Sequence, residues 1–192
     1  VQQKGELSQF YHRFPKLEAF QGQIEDKSKH QINRKLLSKV LSEQYAQISE
    51  MEEAVKENIN SLADQKTFTL TTGHQLNIFT GPLYFHFKII TVINACRQLK
   101  SKYPDYNFVP VYWMASEDHD LEEIRSVQVE GKKHKWNTAQ SGAVGRMNTE
   151  GLAELAEEIA GKKSIFYKAY ANAANLADAT RAYVNDLYGE YG

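Results

Sequence analysis

Apolar residues recur at spacings of three and four through the early part of the chain, which is the pattern of one helical face. Residues 23–72 contain no Gly or Pro, so this pattern predicts a helix from about Ser28 to Leu62, roughly 50 Å long. Because typical globular helices are much shorter, we expect a break near Gln47–Ser49 or an extension beyond the core. Residues 1–26 are interpreted as a packed but irregular arm. The helical face comprises Leu37, Leu41, Tyr45, Ile48, Met51, Val55, Ile59 and Leu62.

A strand, an apolar helix and a second strand are predicted in the middle of the chain. The strands are expected at Thr67–Thr72 and Val109–Met114, with a helix from Pro82 to about Lys102. Apolar residues cover nearly every face of this helix, so we expect it to be largely buried. A strand–helix–strand unit of this length forms a right-handed parallel crossover. The predicted fold class is therefore α/β with a parallel sheet.

The second half of the chain is predicted to add a β-hairpin insertion and two helices. Alternating runs at Ser126–Glu130 and Lys133–Asn137 are typical of a hairpin. One-sided apolar patterns predict helices at Thr149–Ala160 and Tyr170–Tyr188. No strand follows the last helix and the chain does not begin with Met, so we expect it to be part of a longer polypeptide.

Composition narrows the functional classes. The chain has 192 residues, 42% of them hydrophobic and 24% charged, and a net charge of −1. That balance is typical of a soluble globular protein and argues against a nucleic-acid partner, so we interpret the basic run Lys132–Lys135 as a solvated hairpin. The single cysteine, Cys96, lies in the apolar helix and is expected to be buried rather than nucleophilic. Without a signal peptide or a long apolar run, the predictions are no membrane partner and a cytoplasmic location.

The first candidate site is Gly73-His74-Gln75, predicted as a polar loop at the carboxyl end of the first strand. Open α/β sheets bind ligands at such loops, where the next helix directs free N–H groups. The loop could hold a phosphate or carboxylate, with His74 as proton donor, or it could be a turn that merely requires Gly. Thr80 and Gly81 are candidates either for the helix N-cap or for ligand contact, and both roles can hold at once.

The second candidate site is Glu117-Asp118-His119-Asp120, directly after the second strand. These side chains could bind a divalent metal, hold a substrate ammonium group or supply an acid–base pair. The alternative is an acidic first helical turn with Ser116 as N-cap. Adjacent residues rarely all face one ion, so we predict no metal site. Because the carboxyl ends of parallel strands meet at one edge, both clusters are expected to converge on one crevice.

Lys88 is the one cation between Leu83 and Ile93, and it could extend to solvent or reach toward the crevice. The chain lacks G-x-G-x-x-G, P-loop, C-x-x-C and G-x-S-x-G motifs. This argues against dinucleotide redox enzymes, P-loop NTPases and serine hydrolases. The residues predicted to bind substrate are Gly73, Gln75, Thr80, Gly81, Lys88 and Glu117.

Three strings in this chain resemble the BshC family of bacillithiol biosynthesis: Thr72-Gly73-His74-Gln75, Thr80-Gly81-Pro82-Leu83-Tyr84 and the run from Pro110 to Ile124. The third string carries E-D-H-D after an aromatic strand, which is quite specific. The resemblance covers essentially the whole chain and implies a Rossmann-like core related to class I nucleotidyltransferases and synthetases. It implies an N-terminal arm and helical segment over residues 1–66 and a truncated core over 67–192. The later strands of the core and a coiled coil are expected in the remaining part of the longer polypeptide.

The resemblance also implies a cysteine ligase that joins cysteine to glucosaminyl-malate in the last step of bacillithiol synthesis. By this analogy Gly73-His74-Gln75 would line one side of the crevice and Asp118-His119-Asp120 the other. Family members often have Gly-Gln-Gln in the first loop, and the nucleotidyltransferase H-x-G-H signature is not intact here. Involvement of ATP and Mg is therefore an analogy from the fold alone. The candidate catalytic residues are His74, Asp118, His119 and Asp120.

In the expected reaction, the amine of glucosaminyl-malate attacks an activated cysteine carboxyl group. His74, Gln75 and Thr80 would hold anionic groups, while Asp118 and Asp120 would orient an ammonium group or act as base. The alternative is a non-catalytic nucleotide- or carboxylate-binding module whose long helix serves assembly. The expected partners are cysteine and glucosaminyl-malate, together with a second copy through the implied coiled coil.

Overall fold

The computed structural model of the chain describes residues 5–46, 48 and 50–192. Within these residues the helices are α1 (Phe20–Ser28), α2 (Arg34–Tyr45), α3 (Glu53–Ser61), α4 (Tyr84–Lys102), α5 (Leu121–Ile124), α6 (Leu152–Ala160), α7 (Ile165–Asn172) and α8 (Leu176–Tyr188). The strands in the same residues are β1 (Thr67–Gln75), β2 (Asn107–Ala115), β3 (Ser126–Val129) and β4 (Lys132–Lys135). No helix in these ranges is long and apolar enough to cross a membrane.

The centre of the domain is the parallel pair β1–β2, connected through α4. The register runs from Thr67 opposite Asn107 to Gln75 opposite Ala115, so the predicted parallel pairing is confirmed. Both strands are longer than predicted, because the pairing starts at Asn107 in β2 and continues to Gln75 in β1. The cysteine on α4, Cys96, is buried as expected and packs in one cluster with the β2 residue Phe108.

The continuous helix predicted from Ser28 to Leu62 is wrong. The helix α1 lies mostly in the segment interpreted as irregular and ends at Ser28. The next helix starts after Asn33, whose Oδ1 accepts the backbone N–H of Leu36 at 3.0 Å. An N-cap of this kind satisfies a free donor of the first turn and so favours a new helix start at this position.

The helices α2 and α3 fold back on one another rather than extending beyond the core. The hydroxyl of Ser38 donates to the carbonyl of Ile59 at 3.0 Å, which joins the two helices. The guanidinium of Arg34 donates to the carbonyl oxygens of Leu62 and Thr67 at 3.0 and 3.1 Å, tying α2 to the entry of β1. The break expected near Gln47–Ser49 falls partly outside the described residues, as does the start of the N-terminal arm.

The helix α4 is buried on one face only, which corrects the expectation of burial all round. Its inward side carries Phe85, Ile89 and Leu99, with Leu99 completely inaccessible to solvent. On the outward side, Phe87 and Ile90 are 61% and 44% exposed. The physical reason is that the sheet formed by the described residues offers α4 one packing surface.

The predicted hairpin is confirmed as the antiparallel pair β3–β4, which turns through Glu130 and Gly131 in left-handed conformation. The single helix predicted at Tyr170–Tyr188 is wrong, since α7 and α8 are separate. The second of these helices starts at a new N-cap, where Asn175 Oδ1 accepts the N–H of Asp178 at 2.9 Å.

The main core lies between the C-terminal helices and the segment that follows β1. Leu76 and Ile78, just past the strand, are completely buried in this core. The C-terminal half of the chain therefore packs against the segment that directly follows β1. The other large buried residues of this core are Trp136, Val144, Leu152, Tyr170, Leu176 and Tyr183.

We predict that the two faces of α4 respond differently to truncation. Leu99→Ala leaves a cavity in a closed cluster, so it should lower the free energy of unfolding by about 2–5 kcal/mol. The control Ile90→Ala, at a residue 44% exposed on the same helix, should change it by no more than about 0.5 kcal/mol. Urea unfolding of both variants measures the difference, and equal losses would contradict the one-sided burial of α4.

Candidate functional site

The two predicted polar clusters meet at one edge of the sheet. Gln75 is the last residue of β1, and its register partner Ala115 is the last residue of β2. The loop after β2 therefore begins beside Gln75, and Gln75 Nε2 donates to Asp118 Oδ2 at 2.7 Å. The convergence expected from the parallel crossover is observed in the geometry.

The amide of Gln75 bridges two carboxylates. Its Nε2 also donates to Glu123 Oε2 at 3.0 Å, so Asp118 and Glu123 are held side by side. The hydrogen bond from Gln75, followed by the bond from the backbone N–H of Asp120, lowers the pKa of Asp118 below its ordinary value. Asp118 is therefore ionised at neutral pH, and this part of the crevice presents negative charge.

Backbone contacts define the shape of the loop that carries Asp118. Asp118 Oδ1 accepts the N–H of Asp120 at 3.1 Å, and Asp120 Oδ1 accepts the N–H of Glu123 at 3.2 Å. Asp120, rather than Ser116, is thus the N-cap of α5. The N–H of Val144 donates to the carbonyl of Asp118 at 2.7 Å, and the N–H of Gly145 donates to the carbonyl of Ser116 at 3.0 Å. The residues between β4 and α6 support the loop in this way.

His74 is a buried neutral imidazole, 8% exposed. Its Nδ1 lies 3.0 Å from the carbonyl oxygen of Gln75. A carbonyl can only accept, so this geometry assigns the hydrogen to Nδ1 and leaves Nε2 as the proton-accepting nitrogen. Burial lowers the pKa of His74, the bond to Gln75 partly opposes this, and the positive charge of Lys88 adds to the lowering. The ring stacks on Tyr84 with centroids 4.9 Å apart.

Gly73-His74-Gln75 is strand rather than the predicted loop. Gly73 pairs with Trp113 and is not among the residues with positive φ, so no turn dihedral requires Gly at this position. Lys88 Nζ donates to the carbonyl of Gly73 at 3.1 Å and lies 5.4 Å from the centre of the Tyr84 ring. The helix thus reaches over the strand end, and the ammonium group of Lys88 is already bonded there.

Thr80 and Gly81 belong to a turn between β1 and α4 and do not cap that helix, whose N-cap is Leu83. The hydroxyl of Thr80 lies 3.1 Å from His86 Nε2, and Thr80 is 5% exposed. Gly81 has φ +66°, and a Cβ there would lie 2.5 Å from the Cβ of Asn77. Gly is therefore required at this position by both conformation and space.

Glu117 and His119 are exposed on the loop surface, and His119 acts on Asp118 through its backbone N–H and its charge. Three contributors to the site were missed: Glu123, Tyr84 and Asn77. Glu123 could have been found, because it lies one helical turn after the N-cap Asp120. Tyr84 and Asn77 had no such signal, since their contacts to His74 depend on how α4 and the turn pack. Among the described residues no group of three or more His, Cys, Asp or Glu could hold a metal ion.

These features define a Rossmann-like α/β domain with a cluster of polar side chains at the carboxyl end of its paired strands. The model of the N-terminal Rossmann-like domain of the bacillithiol biosynthesis protein BshC matches residues 1–192. The chain belongs to this family. The resemblance in the strings around Gln75 and Asp118 is thereby confirmed.

Curated relatives carry the name "Putative cysteine ligase BshC". The chain is 48% identical over 208 residues to the protein of Flavobacterium psychrophilum and 49% identical over 204 residues to that of Flavobacterium johnsoniae. Both alignments cover 100% of this chain and 38% of the relative. A protein of Cytophaga hutchinsonii is 43% identical over 190 residues, covering 99% of this chain and 36% of that protein. The chain thus spans less than two fifths of the length of these relatives.

We predict that Gln75→Leu raises the pKa of Asp118, because the main hydrogen bond to its ionised form is lost. The lowered pKa means that this bond stabilises the fold above the pKa of an unfolded Asp, and that the stabilisation is lost as pH falls through the folded value. The variant should therefore be less stable by about 1 kcal/mol or less near neutral pH, with the difference vanishing in acid. Carboxyl carbon NMR titration and unfolding as a function of pH measure both effects, with the exposed Gln128→Leu as control.

We also predict that Gly145→Ala disturbs the Asp118 loop. A Cβ at Gly145 would lie 2.5 Å from Ser116 Cβ and 2.8 Å from its carbonyl oxygen, so the two segments must separate. The free energy of unfolding should fall by about 1–3 kcal/mol, and the pKa of Asp118 should rise as its contacts loosen. Gly5→Ala, where nothing lies within 4 Å, is the control. A variant as stable as that control would argue against the support described for this loop.

Proposed function

We propose that the full-length protein containing this chain is a cysteine ligase that joins cysteine to glucosaminyl-malate, completing bacillithiol. The family description, which names bacillithiol biosynthesis, and the names of the curated relatives support this proposal. Both proposed substrates carry an amine, and the ligation needs one amine as nucleophile. The proposal therefore requires a place where an ammonium group is bound and deprotonated.

The observation that carries the proposal is the pair of carboxylates bridged by Gln75. Asp118 and Glu123 both accept from one amide, so they lie close enough to bind a single ammonium group between them. Charge-assisted hydrogen bonds of this kind are stronger than neutral ones. The geometry favours a cation over the anionic groups first expected here, because the amide donors of Gln75 already serve carboxylates and the Thr80 hydroxyl faces His86.

His74 is proposed as the general base for this amine. Its Nε2 is the proton-accepting nitrogen, and the charge of Glu123 acts on the ring, which raises its affinity for a proton. The ammonium group loses a proton to His74, and the free amine attacks the activated cysteine carbonyl. A C–N bond then forms while the activating group leaves with its electron pair. Burial of the imidazole keeps it neutral, and so able to accept a proton, at neutral pH.

A nucleotide, which the fold analogy implies for activation, does not fit the described side of the crevice. Phosphate groups require N–H donors and cations, as at helix N-termini or basic clusters. Here the amide of Gln75 is bonded to the carboxylates of Asp118 and Glu123, whose negative charge repels phosphate, and the ammonium group of Lys88 is directed to the carbonyl of Gly73 on the strand itself. We therefore assign this side to the amine substrate rather than to phosphate groups.

The test uses the full-length protein with cysteine and glucosaminyl-malate, with and without ATP and magnesium, and mass spectrometry of the product. We expect bacillithiol from the wild type, and kcat/KM lowered by about 10- to 100-fold in Asp118→Asn and Glu123→Gln, since each removes one charged acceptor. Glu122→Gln is the matched control, because Glu122 is a neighbouring exposed carboxylate that pairs with Arg125 instead.

Two outcomes would contradict the proposal in different ways. Unchanged kcat/KM in both Asp118→Asn and Glu123→Gln would remove the amine-binding role while leaving the reaction. Absence of product under every condition would favour the binding module. A thermal-shift series with ATP, citrate and cysteine then identifies its ligand, because a specific ligand raises the melting temperature by mass action.

A further inference from the structure

The turn between β1 and α4 has an unusual backbone. Phe79, Thr80 and Gly81 have φ values of 53°, 71° and 66°, so three successive residues adopt positive φ. We call these residues the left-handed turn. Positive φ is unfavourable for residues other than Gly, and most of all for a β-branched residue such as Thr. Such a conformation persists only where surrounding contacts over-determine it.

Two buried tyrosine hydroxyls hold the backbone of this segment from below. The hydroxyl of Tyr170, on α7, accepts the N–H of Phe79 at 2.8 Å. The hydroxyl of Tyr183, on α8, lies 3.1 Å from the carbonyl oxygen of Asn77 and donates to it. Tyr170 and Tyr183 are 2% and 1% exposed, and the Tyr183 hydroxyl shares its hydrogen between the Asn77 carbonyl and Thr180 Oγ1, 3.2 Å away, so both hydroxyls bond inside the core. We call this pair the tyrosine clamp.

The chemistry of the core indicates that these hydroxyls specify the turn. A buried phenol must hydrogen-bond, or its burial costs free energy that Phe would avoid. The ring of Tyr170 also packs edge-on against Phe79, with centroids 5.5 Å apart, so the aromatic contact alone would be available to Phe. The hydroxyl of Tyr170 therefore adds one thing, an acceptor for a backbone N–H that would otherwise be buried without a partner.

The left-handed turn is in contact with His74 through Asn77. The side chain of Asn77 fills the space beside Gly81, where a Cβ would lie 2.5 Å from Asn77 Cβ. On its other side, Asn77 Nδ2 lies 3.4 Å from His74 Nδ1 and 3.4 Å from the carbonyl oxygen of Gln75. A shift of the turn must therefore displace Asn77 against the imidazole.

We propose that Tyr170 and Tyr183 are positioning residues, which fix the left-handed turn and through Asn77 set the orientation and solvent exclusion of His74. The clamp is a property of the fold, while its consequence for turnover rests on the proposed function. The C-terminal helices thereby act on His74 through the left-handed turn and Asn77. Outside the clamp, His86 connects the hydroxyls of Thr80 and Tyr188, so α8 holds the turn at a further point.

The first test measures amide hydrogen exchange in the full-length protein, resolved to single residues by mass spectrometry. In Tyr170→Phe the N–H of Phe79 loses its buried acceptor, so its protection should fall by about 10- to 100-fold. Tyr167→Phe is the matched control. It makes the same chemical change on α7, at a half-buried residue that bonds to Ser164 through its backbone N–H, which the substitution leaves in place. Unchanged protection of Phe79 in Tyr170→Phe would overturn the clamp.

A second readout separates positioning from stability. Slow deuterium exchange at the imidazole Cε1 of His74, followed as a function of pH, reports its titration in each variant. We expect the midpoint to move upward in Tyr170→Phe, because water reaches a ring whose pKa is lowered by burial. A lower melting temperature with an unmoved His74 titration would mean a merely structural role and would overturn the proposal. Tyr183→Phe serves if Tyr170→Phe fails to fold, since an unpaired carbonyl is better tolerated than an unpaired N–H.

These exchange measurements contain no substrate, so they are independent of the ligation assay. The wild type could form no bacillithiol while Tyr170→Phe lowers the protection of the Phe79 N–H and shifts the titration midpoint of His74. In that case the tyrosine clamp stands and the proposed function fails. If the wild type is active, Tyr170→Phe should lower kcat by about tenfold or more, while Tyr167→Phe keeps wild-type turnover. Wild-type kcat in a Tyr170→Phe protein with a shifted His74 would show that the orientation of His74 does not matter for turnover.

Discussion

The parallel register of β1 and β2 is the constraint on which the rest of the structure depends. It places Gln75 opposite Ala115, so the strand end and the loop carrying Asp118 begin at the same level of the sheet. A slip of one residue would turn every side chain of one strand to the opposite face, and Gln75 would point away from Asp118. This alignment allows the side-chain amide of Gln75 to hydrogen-bond both Asp118 and Glu123.

Distant segments of the chain support both sides of the crevice. The Asp118 loop rests on the N–H groups of Val144 and Gly145, and the turn after β1 rests on the tyrosines of α7 and α8. The residues from Val144 onward therefore support the site with backbone N–H groups, tyrosine hydroxyls and apolar packing. Residues placed on such supported elements hold their geometry better than residues on free loops.

The electrostatics of the crevice follow from how its hydrogen bonds are distributed. A sequence with His, Gln, Thr and Lys near one strand end suggests a site for anions. In the folded chain Gln75 is bonded to two carboxylates, and Lys88 directs one of its three N–H donors to the carbonyl of Gly73. The carboxylates of Asp118 and Glu123 outnumber the ammonium group of Lys88, and the imidazole of His74 is neutral. That combination suits the binding and deprotonation of an amine better than the binding of phosphate.

Local sequence was sufficient to identify the two paired strands, the helix between them, the hairpin around Gly131 and the two clusters that meet, because alternation, turn residues and strand order act over short ranges. Local sequence did not predict the helix starts at Asn33 and Asn175, where an N-cap interrupts a run of apolar residues at helical spacing. It also did not predict the exposed face of α4, because that exposure depends on how many strands cover the helix. Only tertiary structure decided that Gly73-His74-Gln75 remains strand and that Glu123, Tyr84 and Asn77 join the site. These outcomes depend on register and on contacts between segments far apart in sequence, which no local pattern encodes.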